Sequence, residues 1–151
     1  MTIVTFVKSI VETLVYATTP ILVRPTFGHG SAELLNITKA DNDQYPVVYL
    51  DEPIKSNYLL NTYNQRTYTI TLFFLNKVEF DFNTDKHQIV IEDMEKLSRQ
   101  FLLRLEKKDE LRKVNSVEDL QVTLAPFDTP CSGTQLKINL TLMQDLSNCL
   151  P

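Results

Sequence analysis

The chain's 151 residues include 15 Lys and Arg against 19 Asp and Glu, for a formal net charge of −4, with 43% of residues apolar and 23% charged. A chain of this length and mixture supports a single domain, residues 1–151, that buries roughly 68–70% of its unfolded surface, and the composition excludes intrinsic disorder. Its cations are dispersed along the sequence, which argues against tight binding of duplex DNA, although a mildly acidic surface still lets DNA slide past without being gripped.

Ile3, Phe6, Val7, Ile10, Val11 and Leu14 recur at the spacing of one helix face, with Thr2 as the N-cap and Thr18, Thr19 and Pro20 as the stop. Residues 21–30, punctuated by Pro25, Gly28 and Gly30, hold a short strand or an extended crossing segment. The two glycines mark positions that need positive φ or close approach. Residues 31–44 read as a turn and a polar loop, in which Asp41, Asn42 and Asp43 suit local side-chain turns.

Tyr45–Leu50 is β-branched and aromatic, bounded by Asp51, Glu52 and Pro53, and reads as a strand; Thr67–Leu75 is a stronger one, with Tyr68, Ile70, Leu72 and Phe74 on one face. The connection between them, residues 52–66, is too long for a tight hairpin. It carries Tyr58, Leu59, Leu60 and Tyr63 among Asn57, Asn61 and Asn64, side chains that a solvated loop would not need. Either an extended arm or hairpin tip docks on a neighbour, or the segment packs against its own domain.

Residues 83–108 contain the clearest helix, with Val90, Met94, Leu97, Phe101, Leu102 and Leu105 in a stripe and Thr84 or Asp85 as its cap. The densest basic stretch, Arg104, Lys107, Lys108, Arg112 and Lys113, is interleaved with Glu106, Asp109 and Glu110 and reads as a solvated helix end. Leu120–Ala125 and Leu136–Leu142 are two final strands, the second alternating as a sheet buried on one face. Their connection holds Phe127, Asp128 and two prolines. The order predicts an α+β fold: a mainly antiparallel sheet of about four or five strands with two helices packed on one face.

Chemistry-bearing patterns are absent from the sequence. Neither His29 nor His87 stands in a sequence pattern that gathers the three or four convergent donors of a metal site. Cys131 and Cys149 suit neither a zinc site nor a disulfide scaffold; they read as reduced thiols, or as a bridge tying the C-terminus to a loop. No strand-to-helix serine elbow and no glycine-rich phosphate cradle occurs. The acidic pairs Asp41/Asp43 and Asp51/Glu52 lie in loops without visible partners. No catalytic residue, cofactor or metal is therefore expected. Lys8 and Glu12 interrupt the apolar N-terminus, which has no basic leader, and no apolar run reaches the ~18 residues of a membrane span. A protein made in the cytoplasm, without membrane contact, is the expectation.

Four segments carry a resemblance: the N-terminal helix ending near Pro20; FGHG at 27–30 followed by YPVVYLDEP at 45–53; YNQRTYTITLFFLNK at 63–77 running into the long helix with FLLRL at 101–105; and two strands leading to Cys149 and Pro151. In order and spacing the chain resembles tail-terminator and tail-completion proteins of tailed bacteriophages, including neck-ring components of the kind found in crAss-like phages. The resemblance implies a virion structural protein, not an enzyme, that assembles as a homo-oligomeric ring, a hexamer or dodecamer, at the head–tail junction or tail top. Other neck, portal or tail proteins would stack on it, and DNA would pass through its lumen without specific binding. A domain of this length has a radius of gyration of about 15 Å, so a ring around a duplex about 20 Å wide needs on the order of six subunits. Tyr58, Leu59, Leu60, Tyr63, Phe127 and Asp128 are the candidate oligomer contacts. Two other readings stay open: a cytoplasmic non-enzymatic adaptor, and a small enzyme whose acidic site is assembled only by folding.

Overall fold

Alternating burial in two long central strands organises the molecule, and two helices cover the apolar side they create. The computed structural model describes residues 2–17, 22–31, 45–59, 62–78, 84–124 and 131–144. Its elements are α1 (Ile3–Val11), β1 (Thr26–Gly30), β2 (Val47–Leu59), β3 (Thr62–Lys77), α2 (Thr84–Leu105), β4 (Leu111–Leu124) and β5 (Cys131–Met143). The strands form one sheet in the order β1-β2-β3-β5-β4, in which β1 and β2 run parallel and every other pair is antiparallel. The expected α+β architecture is thus the observed one.

Residues of even number in β3 and β5 point to the helices. Tyr68, Ile70, Leu72 and Phe74 lie beside Leu136, Ile138, Leu140 and Leu142, and all join one core with the buried faces of both helices. From α1 the core takes Ile3, Phe6, Val7, Ile10 and Val11; from α2 it takes Met94, Leu97, Phe101 and Leu105. Phe74 and Phe101 meet edge to face with ring centroids 5.8 Å apart, an arrangement that the ring quadrupoles favour.

The first helix starts as the sequence predicts: the Thr5 amide donates to the Thr2 hydroxyl at 3.1 Å. It ends seven residues before Thr18, the first residue of the expected stop, at Val11. The β-branched Val11, Thr13 and Val15 are poor helix formers. In addition, Gln100 of α2 draws Val15 out of the helical path. The Val15 amide donates to Gln100 Oε1 at 2.8 Å, and Gln100 Nε2 donates back to the Val15 carbonyl at 3.2 Å. Thr84 and Asp85 stand inside the first turn of α2 rather than ahead of it.

Two stretches differ from their sequence reading. The supposed connection 52–66 is largely strand, because β2 continues to Leu59 and β3 begins at Thr62. Pro53 does not stop β2. It falls in a register shift between Asp51 and Lys55, on a stretch with no outer neighbour among the described residues, where a missing N–H costs no ladder bond. Of the expected helix end, Arg104 does close α2, but β4 starts at Leu111, nine residues before the expected strand at Leu120, so Arg112 and Lys113 are strand residues. Register shifts between Leu111 and Lys113 and between Val114 and Ser116 put Leu111, Val114 and Val117 opposite Leu142, Leu140 and Ile138. Their three-residue spacing imitates a helix although the backbone is a bulged strand.

Candidate functional site

Both helices pack on one side of the sheet, so the other side carries its own chemistry. On β3, Thr67, Thr69 and Thr71 stand opposite Thr141, Asn139 and Lys137 of β5. These in turn face Lys113, Ser116 and Glu118 of β4, while Lys55 and Asp51 of β2 flank Thr69 and Thr71. The rungs are tied side chain to side chain. The Thr67 and Thr141 hydroxyls lie 3.0 Å apart, Asn139 Nδ2 donates to Thr69 Oγ1 at 3.0 Å, and Asn115 Nδ2 donates to Asn139 Oδ1 at 2.7 Å. Two shallow grooves, of about 440 and 500 Å³, run over this polar face.

Toward the β1 end the same face turns apolar, where Val47, Tyr49, Leu75 and Cys131 form a second buried cluster. Gly133 makes this packing possible. A Cβ at that position would sit 1.8 Å from the carbonyl oxygen of Phe74. Of the two glycines singled out in the sequence, Gly30 has a positive φ of 140° at the end of β1.

The sheet also presents two unpaired edges at opposite sides. Among the described residues β1 covers β2 only as far as Asp51, leaving residues 52–59 without an outer neighbour, and no strand pairs with the outer side of β4. At ~3.4 Å per residue these edges run about 27 Å and about 48 Å. Val117 and Leu120 on β4 are 40% and 59% exposed, and Tyr58 and Leu59 near the end of β2 are 57% and 38% exposed.

The expected contact residues therefore divide. Tyr58 and Leu59 come together at the exposed end of the β2–β3 hairpin. Leu60, Phe127 and Asp128 lie outside the described residues, as does the side chain of Tyr63. Arg66, which sequence reading missed, organises this end. Its guanidinium lies 4.8 Å from the Tyr58 ring centre and 5.2 Å from that of Tyr68, and its Nη2 donates to Ser56 Oγ at 2.6 Å. A cation held between two rings fixes an otherwise free Tyr58. The cue was Tyr–x₇–Arg–x–Tyr across a hairpin, legible only once the pairing of Tyr58 with Arg66 is known.

One pair has the form of a nucleophile and its base. His87 Nδ1 lies 2.7 Å from Ser132 Oγ. Ser132 is fully buried beneath the start of α2, so its hydroxyl meets no substrate, and the histidine serves to satisfy a buried polar group. Cys131 is equally inert: burial pushes its thiol up to about 12, and burial also raises the phenol of Tyr45 beside it to about 12. His29 lies on β1 stacked with Phe27, ring centres 6.2 Å apart. Among the described residues no three His, Cys, Asp or Glu side chains converge to hold a metal ion, and no helix is long and apolar enough to cross a membrane.

No protein-family model matches the chain, and no curated protein matches it in sequence.

Proposed function

We propose that this chain is a ring-forming structural subunit of the neck or tail top of a tailed bacteriophage, through whose lumen DNA passes. The observation that carries the reading is the pair of unlike, unpaired edges on one sheet. An open edge is a template for pairing with another chain. Two different edges on opposite sides of a sheet favour head-to-tail contact, which closes into a ring when the rotation per subunit allows it. The exposed Val117 and Leu120 on one edge and the braced Tyr58 and Leu59 near the other supply apolar area for that contact. The four-segment resemblance to tail-terminator and tail-completion proteins points the same way. In such a ring the helices face outward, and the polar sheet face turns toward the passage.

The experiment is light scattering of the full chain and of a Val117→Lys, Leu120→Lys variant. The expected result is a closed oligomer of six or more copies for the first and a folded monomer for the second. An oligomer that survives both substitutions unchanged shows that the β4 edge is not the contact.

A further inference from the structure

From the charges on the open sheet face we infer that it binds the phosphate backbone of duplex DNA. This deepens the proposed function and rests on it for the source of the DNA. Although the whole chain carries a net charge of −4, among the described residues the two grooves are lined by Lys55, Lys137, Arg112 and Lys113 against one carboxylate, that of Glu118. Asp51, an acid that the register places on the same face, stands opposite Thr71. The four cations are exposed, and they come from β2, β5 and β4, strands spread over about 14 Å of sheet at ~4.8 Å per interval. Cations so separated do not converge on a small anion; they match a charge that is itself extended.

The rest of the lining selects among polyanions. Threonine hydroxyls and asparagine amides, of the kind that hydrogen-bond phosphate and sugar oxygens, fill the space between the cations. Among the described residues no aromatic side chain lines either groove, whereas single-stranded nucleic acid is gripped by stacking its bases on aromatic rings. An acidic protein partner would need a buried apolar or aromatic anchor, and among the described residues this lining offers only Leu59 and Pro53. A duplex, with its bases stacked inside and its phosphates outside, fits what remains. The dispersal of cations along the sequence concealed the site, since Arg112 and Lys113 meet Lys137 and Lys55 only through the β2-β3-β5-β4 order.

The test titrates a short labelled duplex of mixed sequence with the full chain, by fluorescence anisotropy, at several salt concentrations. Four phosphate contacts predict a slope of log K against log salt of about −3.6, and so about a hundredfold loss of affinity between about 50 and 200 mM salt. Lys55→Gln, Arg112→Gln, Lys113→Gln and Lys137→Gln together should flatten the slope, and each alone should reduce it by about 0.9. Lys8→Gln and Lys96→Gln, on the helices, should leave it unchanged. Equal binding by the fourfold variant, equal loss from the helix substitutions, tighter binding of a single strand of the same length, or full competition by polyglutamate would each overturn the inference. Light scattering in the same buffers separates the two proposals. A monomer with intact salt-dependent binding removes the ring and keeps the face, whereas an intact oligomer indifferent to DNA removes the face alone.

Discussion

Replacing Phe101 with alanine examines the joint on which the whole arrangement depends, the seating of α2 on the central strands. The side chain is completely buried and meets Phe74 edge to face at 5.8 Å. Truncation removes the transfer free energy of a benzyl group and leaves a cavity between helix and sheet, which together cost about 3–5 kcal/mol. For a domain of this size that lowers the melting temperature by roughly 6–20 °C. Ile89→Ala supplies the contrast on the same helix: Ile89 is 60% exposed, so its loss should fall within about 0.5 kcal/mol. Urea unfolding followed by far-UV circular dichroism measures both, with equal m-values as the check that only stability has changed. A Phe101→Ala cost below about 1 kcal/mol, or equal costs at the two positions, would refute the packing described for α2.

Gly133→Ala should destabilise severely, because its Cβ would meet the Phe74 carbonyl oxygen, a backbone atom, at 1.8 Å; thermal melting no more than a degree or two below wild type would contradict that geometry. Gln100→Leu removes both hydrogen bonds to Val15 and should cost about 1–3 kcal/mol in urea unfolding, with faster hydrogen exchange at the Val15 amide. Cys131 should resist alkylation in the native protein at mildly alkaline pH and react after unfolding, as read by peptide mapping. Its folded thiol is raised from 9.0 to about 12, so between those values the unfolded chain holds fewer protons and stability falls as pH rises. Stability is therefore full below pH 9, and Cys131→Ala should make the decline between about 9 and 12 shallower; an unchanged decline would remove the thiol from the account.

What the sequence disclosed follows from how many faces of each element are buried. The stripes of α1 and α2 and the alternation of β3 and β5 each bury one face, and periodicity identified all four. β4 is an edge strand largely exposed on both sides; its burial pattern has no period of two, and two bulges give its apolar residues a spacing of three. Only its last part, from Leu120, read as a strand, and its first residues, Arg112 and Lys113, were grouped by charge with the preceding helix end. The far half of β2 was hidden by Pro53, a strand breaker everywhere except on an unpaired stretch such as this one. Tyr58 and Leu59 could be suspected from composition alone, since neither had a core to enter. Arg66 could not, because its partners Ser56, Tyr58 and Tyr68 are assembled by a hairpin register that no local pattern encodes. The groove cations were equally illegible: Lys55 and Lys137 stand 82 positions apart in sequence, while a single strand, β3, lies between theirs in the sheet.

Electron microscopy of the full chain, at high concentration and in the particles that contain it, tests the central claim most directly. The expected image is a closed ring of six or more copies whose sheets line an opening wide enough for a duplex and whose helices lie on the outside. A chain that stays monomeric at high concentration and is absent from any particle, or a ring whose helices line the opening, would contradict it.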